Sequence, residues 1–206
     1  MPILINDEAF AVEVLQTRRA SGADRHDEVW NGVYVMAPMA DNEHQSLATE
    51  LAAAISTITN WRGQGKTLAG ANVSDSRENW TQNYRIPDVL VFLNDTSAVD
   101  CGTHWLGGPD FAIEIVSQGD RTLDKLDFYA MVGTRELLVI DRNPWQLTLY
   151  RRNNARLVPV AHCDLQQATA IQSEVIPLRI SLDAKTKCMR LAHLDCSPIR
   201  DIPIQA

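Results

Sequence analysis

Asp88 opens an apolar run, Val89-Leu90-Val91-Phe92-Leu93, directly after Pro87, and Glu114 lies inside a second one, Phe111-Ala112-Ile113-Glu114-Ile115-Val116. An ionised carboxylate among apolar neighbours is costly unless something positive compensates it. If the two runs are adjacent strands, both acids reach one end of a sheet, where one or two carboxylates and water hold a hard cation such as Mg²⁺. The alternative is a Glu114 that faces solvent on an edge strand and an Asp88 that caps a turn. Lys125 follows Glu114 by eleven residues, and Arg121, Lys125, Tyr129 and Gly133 recur every fourth position, one face of a helix. That face can lie over the strand of Glu114. Lys125 would then bring positive charge to the two acids, as needed to steady an attacking water or the charge developing on a phosphorane. Its ordinary alternative is a surface salt bridge to Asp124 or Asp127.

The elements that must position these groups can be read from pattern. Asn6, with Asp7 and Glu8 behind it, predicts the cap of a first helix that runs past Arg18 and Arg19 and ends before Ser21-Gly22. Asn31-Gly32 inside Glu28 to Met36 predicts a type I′ hairpin. Asp41 or Asn42 opens a second helix whose stripe is His44, Leu47, Leu51, Ala54, Ile55 and Ile58, ending near Asn60 to Gly65. Thr67 to Val73 and Arg85 to Leu93 read as strands, the latter buried on both faces, and 94–109 as a loop or irregular hairpin tip. Phe111 to Val116 is a buried strand, Asp120 to Met131 a helix closed by Gly133, and Glu136 to Ile140 a central strand. Trp145 to Tyr150, Leu157 to Ala161 and Val175 to Ile180 predict a β-rich tail. The expected class is α/β or α+β: a mixed sheet flanked by helices with a β-rich C-terminal extension, organised as one domain over residues 1–206.

Composition narrows the function classes. With 206 residues and 45% hydrophobic content, the chain is long enough to bury a core without metal or disulfide staples. No apolar run approaches the ~18 residues of a membrane span, and Met1 to Ala20 lacks a signal pattern, so a cytoplasmic protein without membrane partners is expected. Cys101, Cys163, Cys188 and Cys196 form no CxxC pair and read as reduced thiols. A zinc site from Cys188, His193 and Cys196, with His162 or Cys163, matches no standard spacing. A net charge of −7 argues against a global positive field for nucleic acid but not against a local basic groove.

The set Ile86-Pro87-Asp88-Val89, Ala112 to Ser117, Asp120-Arg121 with Lys125, Tyr129 and Gly133, and Glu136 to Asp141 resembles the Uma-two family of restriction-endonuclease-like proteins, in the PD-(D/E)XK nuclease superfamily. The likeness extends upstream to Glu28, Asn31-Gly32 and Glu43-His44-Gln45, and downstream to Ser173-Glu174-Val175. It implies a restriction-endonuclease-like core and a phosphodiesterase in which Asp88 and Glu114 bind Mg²⁺ or Mn²⁺, with the carbonyl of Ile115 as a further ligand. Lys125 would assist the nucleophilic water. The sequence departs from the superfamily at Val116, which stands where the ExK motif has lysine, so the basic group must come from Lys125 on the helix. Ser117-Gln118 replaces the family's usual Ser-Pro.

Further candidates carry open alternatives. Glu28 is an additional carboxylate or, more ordinarily, a strand-end surface acid. His44 touches phosphate or water, or caps and packs its helix. Arg62, Lys66, Arg77, Arg85, Arg121, Arg135 and Arg142 could compose a phosphate rim with Trp80, Tyr84 and Trp105 for stacking, or be scattered surface groups. DNA is the expected partner, and a homodimer would align two small basic strips. Two readings follow: a divalent-metal-dependent DNA endonuclease, and a non-catalytic binding or oligomeric scaffold that keeps the fold. Hydrolysis of RNA or small phosphodiesters is a third.

Overall fold

The computed structural model describes residues 8–37, 40–117, 119 and 121–204. In chain order these are α1 (Glu8–Ser21), β1 (Glu28–Trp30), β2 (Val33–Val35), α2 (Asn42–Ile58), β3 (Gly65–Ala69), β4 (Val73–Ser74), β5 (Tyr84–Arg85), β6 (Val89–Leu93), β7 (Val99–Asp100), β8 (Trp105–Leu106) and β9 (Phe111–Ile115). There follow α3 (Leu126–Val132), β10 (Glu136–Arg142), β11 (Trp145–Asn153), β12 (Arg156–Asp164), β13 (Ile171–Gln172), β14 (Arg179–Asp183), β15 (Cys188–Ala192) and β16 (Pro198–Pro203). The predicted cap of α1 at Asn6 and the predicted helix start at Asp120 lie outside the described residues.

The central sheet has the order β12-β11-β10-β9-β6-β3, with β9 and β10 parallel and its other neighbours antiparallel. Its inner strands are buried on both faces, as their unbroken apolar runs require. On one face, Val89, Val91, Phe111, Ile113 and Ile115 pack with Leu47, Leu51, Ile55 and Ile58 of α2 and with the C-terminal sheet β13-β14-β15-β16. On the other, Leu90, Phe92, Ala112, Leu137 and Val139 pack with Phe128, Tyr129 and Ala130 of α3 and with Trp105. A sheet of short strands, β2-β1-β5-β4-β8-β7, lies on this second side and carries the hairpin. Its turn takes the positive torsions expected, φ 50° at Asn31 and 82° at Gly32.

Three expectations are corrected. The strand predicted over Thr67 to Val73 is two strands in different sheets, because Gly70 (φ 62°) turns the chain between β3 and β4. Arg85 to Leu93 divides likewise at Pro87, which has no N–H for a ladder, leaving β5 in the short-strand sheet and β6 in the central one. Of the two readings of 94–109 the hairpin holds: β7 and β8 pair antiparallel there, anchored by Trp105 stacked on Phe92 at 3.7 Å between ring centroids. Val175 to Leu178 is a turn rather than a strand: Ser173 Oγ accepts from the N–H groups of Val175 and Ile176, each at 3.1 Å, and pairing begins only at Arg179.

Among the described residues no helix is long and apolar enough to cross a membrane.

Candidate active site

Antiparallel pairing places Val89 opposite Ile113, so one step further Asp88 stands opposite Glu114. Both acids therefore reach the end of the sheet where the parallel strands β9 and β10 terminate, the usual ligand-binding edge of such sheets. There, a cleft of about 310 Å³ is lined by Glu28, His44, Asp88, Glu114, Ile115 and Lys125, among others. Asp88 is braced on both oxygens. Oδ2 accepts the backbone N–H of Ile115 at 2.7 Å, and Oδ1 lies 2.8 Å from His44 Nε2. His44 sits in the first turn of α2, where Asp41 Oδ1 accepts its backbone N–H at 2.7 Å. With Nε2 donating to Asp88, a neutral ring accepts at Nδ1, 3.1 Å from Ser117 Oγ.

Glu114 is deeper, 3% exposed. Lys125 Nζ donates to both of its oxygens at 3.1 Å and to Glu28 Oε1 at 3.0 Å, while the Tyr129 hydroxyl donates to Glu114 Oε1. Lys125 is not in the α-helix, as its predicted place required. It closes a 3₁₀ turn, Thr122–Lys125, that leads into α3. Lys125 and Tyr129, four residues apart across the start of α3, share one face and meet on one carboxylate. Gly133 caps α3 at φ 101°, as expected.

Glu28 is no surface acid. It is 5% exposed, receives the Trp30 indole N–H at 2.6 Å and the Ile86 N–H at 2.8 Å, and shares Lys125 with Glu114. Beneath it the guanidinium of Arg85, 3% exposed, lies 4.6 Å from the Trp30 ring centroid and 4.2 Å from that of Phe128. Neither Trp30 nor Arg85 was assigned this place from sequence. The only signal for Trp30 is its position two residues after Glu28, on the same face of a strand.

Burial pushes the Glu114 carboxyl up to about 8; Lys125 opposes the rise, Asp88 and Glu28 add to it, and the Tyr129 hydrogen bond opposes it. Burial likewise holds the Tyr129 hydroxyl well above its ordinary value, so it remains a donor. Folded Glu114 thus keeps its proton to higher pH than the unfolded chain, whose value is near 4.5. Metal-free protein is therefore expected to lose stability as pH rises from about 4.5 through about 8. Thermal melts in chelator should fall more steeply across that window for wild type than for Glu114→Gln; parallel curves would contradict it.

The predicted phosphate rim does not assemble. Arg142 pairs with Asp41 and Glu43 at 2.9 Å, Arg135 with Asp110 and Lys66 with Asp100 at 3.5 Å, and Arg62 lies 3.3 Å from His193. Arg85 is buried, Trp80 stacks on His104, and the Tyr84 hydroxyl donates to the Asp27 carbonyl. Of the seven basic candidates, Arg121 alone lines the cleft. Among the described residues the cysteines and histidines considered for zinc do not gather into a ligand group; Cys196 Sγ accepts from Arg179 at 3.1 Å and Cys163 Sγ from the Leu182 N–H at 3.4 Å. Among the described residues no three His, Cys, Asp or Glu side chains are drawn into a ready metal-ligand group, and in the cleft the Lys125 ammonium bridges Glu28 and Glu114.

A family described as "Putative restriction endonuclease" (Uma2) matches residues 12–185, well over half of the chain. The protein belongs to this family. The family resemblance read from sequence thus stands, and the mixed sheet flanked by helices is the class expected from it. A solved structure described as "a putative nuclease belonging to DUF820", from Anabaena variabilis, superposes with a TM-score of 0.58 at 17% identity, covering 72% of this chain and 83% of its own. At that identity the likeness is one of fold. A search of curated proteins returns no match.

Proposed function

We propose that this protein is a divalent-metal-dependent endonuclease that hydrolyses phosphodiester bonds in DNA. The observation that carries the reading is the meeting of Asp88, Glu114 and Lys125 in one cleft of a chain from this family. The donor set fits a hard cation: Asp88 and Glu114 offer only oxygens, from facing positions on neighbouring strands. The raised carboxyl of Glu114 supports the same fit, since Glu28 and Glu114 share one ammonium, Asp88 adds negative charge beside them, and a cation would relieve the repulsion. Asp88, Glu114 and the carbonyl of Ile115 are the proposed ligands of Mg²⁺ or Mn²⁺. When bound, such an ion polarises the scissile phosphate and acidifies a water.

The chain's own residues supply the rest. His44 and the Ile115 N–H fix the orientation of Asp88, and Tyr129 fixes Glu114. Lys125, held on Glu114, would take the part of the lysine that Val116 replaces and stabilise the negative charge that develops on the phosphoryl oxygens. Glu28 holds that ammonium from the opposite side. Because His44 acts through Asp88, His44→Ala is expected to weaken Mn²⁺ binding by roughly tenfold to a hundredfold. Titration calorimetry checks this, and unchanged affinity would remove His44 from the site.

Incubation with plasmid DNA and Mg²⁺ or Mn²⁺ tests the proposal. Cleavage that chelator stops and that Asp88→Ala and Glu114→Ala abolish is the expected result. Cleavage undiminished in those variants would reject the site. Absence of both cleavage and Mn²⁺ binding would favour the scaffold reading, which draws on the net charge of −7 and on the pairing of most basic candidates with acids.

A further inference from the structure

The acid cleft lies where β9 and β10 end. Where β10 begins, a second cavity of about 460 Å³ is lined by Arg135, Glu136, Arg151, Arg152, Asn154 and Glu174, among others. The pairing of β10 with β11 explains why three arginines meet there. Glu136 lies opposite Arg151, and one step earlier the Arg152 N–H donates to the Arg135 carbonyl at 2.9 Å, so Arg135 and Arg152 face each other across the strands. Like charges directly opposite destabilise such a pair. The nearby acids do not cancel them. Arg135 reaches Asp110 only at 3.5 Å, and Arg152 has no acidic partner among the described residues. The Arg152 side chain turns toward the C-terminus of α3, where a Cβ on Gly133 would stand 4.0 Å from its Nη1.

Arg151 is the fixed member of the set. Its Nε donates to Glu136 Oε1 and its Nη1 to Glu174 Oε1, each at 2.8 Å. Glu136 is fully buried and also accepts from the Ser173 hydroxyl and the Glu174 N–H, so it anchors Arg151 and is spent before it can neutralise Arg135 or Arg152. Glu174 is a surface acid, 68% exposed, whose pairing contributes little and yields to a stronger anion. The planar donor fork of arginine matches two oxygens of a phosphate, and the cavity is within the size range of small-molecule sites. We propose that this cavity is a phosphate-binding site in which Arg135, Arg151 and Arg152 hold one phosphate group. A free phosphorylated molecule and a nucleic-acid backbone both present that chemistry. The site shares no residue with the acid cleft, so it goes beyond the nuclease reading and stands or falls apart from it.

Two probes in metal-free buffer test it: calorimetry with inorganic pyrophosphate, and fluorescence anisotropy of a labelled DNA oligonucleotide without a terminal phosphate. Wild type is compared with Arg135→Ala, Arg152→Ala and Glu174→Gln, all at exposed positions where the fold tolerates change. Each arginine variant should weaken the bound probe by about tenfold, and for the oligonucleotide should lower the slope of log K against log salt by about one. Glu174→Gln frees Nη1 of Arg151 and should tighten binding by about threefold, a gain that a merely structural arginine cluster would not show. Pyrophosphate binding that changes in this way identifies a free phosphorylated ligand, and oligonucleotide binding that does so identifies backbone phosphate. Affinities equal in wild type and all three variants, or no binding of either probe, would overturn the proposal.

Discussion

Asp88→Asn and Glu114→Gln are each expected to reduce metal-dependent DNA cleavage by roughly a thousandfold, the rate equivalent of the several kcal/mol that a bound divalent ion contributes to a phosphoryl transition state. The two should fail differently. Asp88 is braced by His44 and the Ile115 N–H, contacts that an amide retains only in part, so its substitution should lose Mn²⁺ binding with little change in fold. Glu114 is deeply buried, and ionising it opposes folding near neutral pH. Its neutral variant should therefore lose metal while the metal-free protein becomes less sensitive to pH. Single-turnover cleavage measured beside calorimetry separates the outcomes. Full activity in either variant would contradict the assignment of that residue.

Lys125→Met should abolish cleavage while leaving Mn²⁺ binding intact or tighter. The ammonium now donates to both oxygens of Glu114, where it competes with any cation for that carboxylate. Removing it takes away the competitor and with it the positive charge needed as negative charge builds on the phosphoryl oxygens, a loss of roughly a hundredfold or more in rate. It also strands Glu28 and Glu114 as buried acids without their partner, so the metal-free variant should lose about 3–5 kcal/mol of stability. Added Mn²⁺ should restore much of it, read as a rise in melting temperature far larger than for wild type. Retained cleavage would show that the ammonium serves structure alone.

The parts of this architecture that were legible in the sequence share a physical reason: each is specified by residues close together. The Asn31-Gly32 turn, the α2 stripe of His44, Leu47, Leu51, Ala54, Ile55 and Ile58, and the doubly buried β6 and β9 need no distant information. The short-strand sheet was not legible, because β4, β5, β7 and β8 are two residues each and too short to show an alternation. In the cleft, Asp88, Glu114 and Lys125 could be paired by spacing and resemblance. Glu28 read as a surface acid because nothing local announces that Lys125, 97 residues away, will bury it. The basic rim failed for the converse reason. Arg142 finds Asp41 and Glu43 about a hundred positions upstream, and composition alone cannot tell a paired arginine from a waiting one.

The claim on which the account rests is that Asp88 and Glu114 share one hard cation. Soaking crystals in Mn²⁺ and mapping its anomalous scattering locates that ion directly. The account predicts a single strong peak at about the Mn–O bonding distance from a carboxylate oxygen of Asp88 and one of Glu114, next to the Ile115 carbonyl and with Lys125 displaced from at least one Glu114 oxygen. A peak bound elsewhere on the molecule, or none in the cleft at saturating Mn²⁺, would contradict it.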